Sequence, residues 1–186
     1  MDLIDLIAEK RFLGQEFLTW LWYKSDERGG PINIPGSGDV LIVFEKHLLL
    51  EYGEGDAHEK VICQGLQAEL KEARTGLAMG KKLEQARIHL VQGDYEWHLT
   101  LKGSLMEFRS VKPPKTMEQT EESDDPSAIE AKILDRIGMI ETAVRTIDDL
   151  LRMFLEQKTS PDWDNELQKI RRWVKKGAST PSTERI

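Results

Sequence analysis

Residues 84–102 can fold back on themselves in one register only. A two-residue turn at Gly93-Asp94 sets Val91 opposite Glu96, Leu90 opposite Trp97, His89 opposite His98 and Ile88 opposite Leu99. Side chains alternate across a strand, so this pairing gathers Ala86, Ile88, Leu90, Trp97, Leu99 and Leu101 on one face. Arg87, His89, Glu96, His98 and Thr100 fall on the other. A slip of one residue would turn the whole apolar set towards water. The segment therefore predicts a hairpin of strands 84–92 and 95–102, with one face that another element must cover.

A cover is available upstream. From about Leu3 to Tyr23 the apolar residues Leu6, Leu13, Phe17 and Trp20 or Leu21 recur at helical spacing. Residues 17–23 (Phe-Leu-Thr-Trp-Leu-Trp-Tyr) are apolar nearly all round, which predicts burial on more than one side of that helix end. Gly29-Gly30-Pro31 and Pro35-Gly36-Ser37-Gly38 then impose loop. Residues 40–44 and 48–52 read as two strands joined by a polar turn at 45–47, and 59–64 as a further strand. Residues 68–79 form a short helix ended by Gly80, and 105–111 add one more strand.

Beyond this block, residues 113–127 combine three prolines with five acids and one lysine, the composition of a flexible linker. Ile133, Ile137, Ile140, Val144, Ile147, Leu151 and Phe154 then alternate spacings of four and three, a heptad seam. Lys158-Thr159 makes a turn, with Ser160 as N-cap, Pro161 at the first helical position, and Trp163, Leu167, Ile170 and Val174 as a second stripe. So short a turn predicts an antiparallel helical hairpin. The expected fold is α+β: an N-terminal helix packed on an antiparallel sheet, followed by a C-terminal helical hairpin. Its divisions are an α+β domain (1–112), the acidic linker (113–127), the hairpin (128–176), packing on the first domain or on a partner, and a disordered tail (177–186).

Several function classes fall away on composition. With 33 acidic against 26 basic residues the chain carries a net charge of -7, which argues against a protein coated in nucleic acid or anionic lipid but leaves room for a local basic stripe. The single cysteine, Cys63, lies in an apolar run and reads as a buried thiol. No apolar stretch is long enough to span a membrane, and the acidic N-terminus lacks the bases of a signal peptide, so the expected location is the cytoplasm. Gly76-Leu77-Ala78-Met79-Gly80-Lys81-Lys82 imitates a phosphate loop, yet it has one residue too few between its glycines, no following Ser or Thr, and a strand after it instead of a helix. A helix C-cap at Gly80 accounts for it better. His89 and His98 face each other in the hairpin, but two imidazoles with Glu96 nearby fall short of a metal site. No serine sits in a nucleophile elbow, and no paired carboxylates occur at a spacing that fixes their separation. The chain reads as non-enzymatic, with no metal and no cofactor.

Two basic clusters are the candidate nucleic-acid contacts: Arg74, Lys81, Lys82 and Arg87, and then Lys169, Arg171, Arg172, Lys175 and Lys176. The second equally suits the negative end of its helix dipole. Ile137, Ile140, Val144, Ile147 and Leu151 are the candidate oligomerisation seam. The five tryptophans, at 20, 22, 97, 163 and 173, are expected in the core.

The run Arg11-Phe12-Leu13-Gly14-Gln15-Glu16-Phe17-Leu18-Thr19-Trp20-Leu21-Trp22-Tyr23 resembles a signature of short bacterial proteins described as recombination-associated protein RdgC. Glu72-Ala73-Arg74-Thr75-Gly76-Leu77-Ala78-Met79-Gly80-Lys81-Lys82, the Tyr95-Glu96-Trp97 strand, and Asp162-Trp163 with Ile170-Arg171-Arg172-Trp173-Val174 are similar in order and spacing. The likeness covers residues 11 to 174, though the well-described members are considerably longer. It implies sequence-independent binding of duplex DNA during recombination or replication, by ring-shaped dimers with a basic inner surface, and a recombinase such as RecA as protein partner. Such a protein would be nucleoid-associated. The alternative from the residues alone is a structural or adaptor protein that assembles through its helical hairpin.

Overall fold

The computed structural model describes residues 3–52, 59–64, 68–114 and 125–179. Helix α1 (Leu3–Arg28) continues a full turn past the expected end at Tyr23, and Gly29 stops it at φ 55°. Strands β1 (Ile32–Ile34), β2 (Gly38–Tyr52), β3 (Glu59–Gln64), β4 (Lys82–Gln92), β5 (Tyr95–Lys102) and β6 (Glu107–Lys112) form one antiparallel sheet in the order β1-β2-β4-β5-β6. β3 pairs with the second half of β2, on the edge that β1 uses at the other end. Helix α2 (Ala68–Ala78) links β3 to β4, and helices α3 (Pro126–Thr159) and α4 (Trp163–Ser179) complete the chain. Among the described residues no helix is long and apolar enough to cross a membrane.

The β4–β5 register is the expected one: Val91 faces Glu96, Leu90 Trp97, His89 His98 and Ile88 Leu99. All six apolar residues of its inner face are buried. The expectation for residues 40–52 requires correction. They form one long strand, and the polar triplet at 45–47 is a bulge, not a turn. Between the pairs Phe44–Ile88 and Leu48–Ala86, β2 advances four residues while β4 advances two. The excess is even, so Val40, Ile42, Phe44, Leu48 and Leu50 all still point inward, and all are buried.

α1 lies on that inner face. Phe17, Leu18, Trp20, Leu21, Trp22 and Tyr23 are all buried, because the sheet covers one side of the helix while α3 and α4 cover the others. Phe154 of α3 packs on Phe17 and Trp20 with centroids 5.8 and 5.6 Å apart, and Trp173 of α4 meets Trp22 edge-on at 5.2 Å. α1 approaches the β5–β6 turn at two glycines: a Cβ on Gly14 would sit 2.7 Å from the Gly103 carbonyl carbon and closer still to its oxygen. Next to this crossing Glu84 is buried, accepting a hydrogen bond from Gln15 Nε2 at 2.7 Å and another from Ser104.

The two C-terminal helices expected as a hairpin are present as α3 and α4, and three details differ from expectation. Ser160 caps the end of α3, its Oγ donating to Gln157 O at 2.7 Å, and α4 begins at Trp163 with the Asp162 carbonyl accepting from Glu166 N at 3.2 Å. α4 has α2 as its main neighbour and touches both α1 and the end of α3: Trp173 packs on Trp22 and Tyr23, Glu166 pairs with Lys24, and Trp163 meets Phe154 edge-on at 5.8 Å. The seam of α3 is also divided. Ala143, Thr146, Ile147, Leu150 and Phe154 enter the core, Ile140, Val144 and Leu151 are half-buried, and before Met139 no residue of α3 is buried. Ile147 is thus unavailable to a partner chain, and Ile133 and Ile137 are the exposed part of the seam. Trp97 Nε1 donates to Met139 O at 2.9 Å, which marks the point where the helix leaves the body.

Asp125 is the N-cap of α3, accepting from Ser127 N at 3.2 Å, and Pro126 opens the helix. Most of the expected linker, residues 115–124, lies outside the described residues, as do residues 180–186 of the expected tail. Residues 177–179 of that tail continue α4, with Gly177 buried.

Candidate nucleic-acid interface

The amphipathic pattern of α4 fixes which way its bases point. Ile170 and Val174 are buried and Trp163 and Leu167 half-buried, so Lys169, Arg171, Arg172, Lys175 and Lys176 fall on the outer face, where all five are exposed. α2 brings the other cluster to the same place. Its C-terminus closes in a Schellman turn: Lys81 N donates to Gly76 O and Gly80 N to Leu77 O, each at 3.0 Å, with Gly80 at φ 90°. That turn reverses the chain into β4 and sets Lys81 and Lys82 beside α4. The segment that imitates a phosphate loop is therefore the helix cap expected of it.

Lys81 and Lys82 line a groove of about 240 Å³ together with Leu77 of α2, Trp163, Leu167, Ile170 and Val174 of α4, Gln15, Glu16, Thr19 and Trp20 of α1, and Lys158 of α3. Arg171 and Lys175 follow Leu167 at i+4 and i+8, so they continue the same side of α4 outward from the groove. Lys81 and Lys82 thus lie against α4, although nearly half of the chain separates them from it in sequence. Lys158, expected in a turn, lies in the last turn of α3 and is not among the candidate contacts.

The remaining bases have other partners. Arg74 lies between Trp22 and Trp173, its guanidinium 5.5 and 4.5 Å from the ring centroids. Its Nη2 donates to Asp26 Oδ2 at 2.6 Å, and Trp173 Nε1 donates to the same oxygen at 2.7 Å. Gly177 makes room, because a Cβ there would overlap the Arg74 side chain. Arg74 therefore fastens α4 to α1 and α2 and is not a surface contact. Arg87 lies on the opposite face of the sheet from the helices, paired with Glu45 Oε2 at 2.6 Å, far in structural terms from the groove. Lys169 pairs with Glu166 at 3.5 Å.

Glu166 is the buried acid of α4. Burial alone would push its carboxyl up, but the Lys24 ammonium, with Lys169 and Gln157, holds it below the usual carboxylate range. On the open face of the sheet, His89 and His98 stack with centroids 4.4 Å apart and planes 6° from parallel. His89 pairs with Glu96 at 3.2 Å, and His98 with Glu45. The ring nitrogens point at separate carboxylates instead of converging, and among the described residues no group of three or more His, Cys, Asp or Glu is placed to hold a metal ion.

Comparison with protein-family models, with curated proteins and with solved structures finds no match to this chain.

Proposed function

We propose that this is a non-enzymatic DNA-binding protein that holds duplex phosphates without reading sequence, through Lys81, Lys82, Arg171, Arg172, Lys175 and Lys176. The observation that carries this reading is that the α2 turn places Lys81 and Lys82 against α4, whose outward residues Arg171, Arg172, Lys175 and Lys176 are exposed, on a chain with net charge -7. An overall negative protein with a positive strip binds a polyanion in one orientation, because the rest of its surface repels it. Exposed lysines and arginines suit phosphate contact, which positions a duplex and carries no sequence information. The resemblance to recombination-associated RdgC implies the same activity, and a role in recombination or replication is part of the proposal.

Four to six neutralised phosphates predict a loss of roughly two to three orders of magnitude in affinity between about 50 and 200 mM salt. Fluorescence anisotropy with duplexes of unrelated sequence measures this. Lys82→Glu combined with Arg171→Glu should weaken every duplex alike and flatten the salt slope. Absence of binding at about 50 mM salt, where phosphate contacts are strong, overturns the reading.

A second reading, assembly through α3, has its own support. Ile129, Ile133, Leu134 and Ile137 are 45, 54, 61 and 47% exposed, four large aliphatic side chains within nine residues of one helix. Such a cluster is characteristic of a surface that another chain covers.

A further inference from the structure

The groove beside α4 has a floor that phosphates cannot use. Trp20, Leu77, Trp163, Leu167, Ile170 and Val174 make it predominantly apolar, whereas a nucleic-acid backbone offers hydrated oxygens and sugar. The charged residues that line it are three lysines, Lys81, Lys82 and Lys158, against one acid, Glu16. Glu16 pairs with Lys158 at the α3 end. At the α2 end Lys82 is exposed at the mouth. An apolar trough with an exposed ammonium at one end is complementary to a molecule with an apolar body and one anionic head.

We propose that this groove binds a small amphipathic anion, a medium-chain carboxylate or an equivalent aryl acid, with its chain along Trp20, Trp163 and Leu167 and its head at Lys82. The volume of about 240 Å³ is below that of most sites for drug-sized ligands, which selects a short chain over a membrane lipid. The site shares Lys82 with the DNA reading but does not rest on it: a failed DNA titration leaves it standing, and the reverse also holds.

The test uses the full chain with octanoate, octanol and octylammonium as probes, titrated by calorimetry. Octanoate should bind with Kd on the order of 0.1 mM, as expected for a ligand of about ten heavy atoms. Octanol should bind about tenfold more weakly and octylammonium not at all. Lys82→Gln, at an exposed position that the fold does not need, should weaken octanoate roughly three- to tenfold, as for a charge-assisted contact at a wet rim, and leave octanol unchanged. Octanoate brominated at its chain end should quench tryptophan fluorescence, less so in Trp163→Phe. No binding of octanoate, equal binding of all three probes, or a Lys82→Gln variant that binds octanoate as tightly as the parent each overturns the proposal.

Discussion

Gly14→Ala offers a test in which two arguments predict opposite signs. Gly14 lies inside α1, where alanine is the better helix former by about 1 kcal/mol. On propensity alone the variant should be more stable. The structure predicts the reverse. The added Cβ would meet backbone, 2.7 Å from the Gly103 carbonyl carbon and nearer still to its oxygen, where ordinary contact begins near 3.4 Å. No rotamer change relieves such a clash, so α1 has to lift from the β5–β6 turn by well over half an ångström. Overpacking of this kind costs about 1–3 kcal/mol. The displacement also stretches the 2.7 Å bond from Gln15 to the buried Glu84 carboxylate, a charged hydrogen bond worth about 1.5–3 kcal/mol. Partial loss of both, less the propensity gain, leaves a net destabilisation of about 2–4 kcal/mol. For a chain of this size each kcal/mol moves Tm by about 2–4 °C, so the midpoint should fall by roughly 5–15 °C. Thermal and urea melts followed by circular dichroism measure it. A midpoint that rises or stays in place would mean that α1 does not cross the turn at Gly14, and the seating of this helix on the sheet would be wrong.

The two halves of α3 should respond differently to the same change. Ile147→Asp places a charge in the core and should cost several kcal/mol, whereas Ile133→Asp with Ile137→Asp should leave the urea midpoint in place; if assembly runs through this stripe, sedimentation of the double variant shows a smaller, folded species, and an unchanged sedimentation coefficient removes the assembly reading. Glu166→Gln should lower stability at neutral pH and matter less in acid. The parent carboxyl titrates below the usual range, so its contribution is complete above the ordinary carboxylate pKa and is lost as pH falls through the lowered one; a stability gap between parent and variant that is the same at about pH 7 and pH 3, on either side of that range, contradicts the Lys24–Glu166 pairing.

What the sequence determined was local in the chain or tied to a strict period. The β4–β5 register follows from a two-residue turn and a side-chain period of two, which leave no second solution that buries Ile88, Leu90, Trp97 and Leu99 together. The cap at Gly80 follows from one glycine's access to positive φ at the end of a helix. The all-round burial of residues 17–23 was equally legible, because an apolar helix surface needs cover on every side. Tertiary structure decided the rest. Polarity at 45–47 suggests a turn, and only the partner strand, advancing two residues against four, makes it a bulge that keeps both halves of β2 facing the core. The α3 stripe keeps its helical period beyond the point where its neighbour ends, so periodicity could not separate buried Ile147 from exposed Ile133. The α4 stripe requires cover but does not name α2 as the element that supplies it. Arg74 and Lys82 differ little as charges along a chain. Asp26, Trp22 and Trp173, distant in sequence, make the first a fastening of the fold, and the Schellman turn sets the second at the mouth of a groove that exists only once five elements have packed.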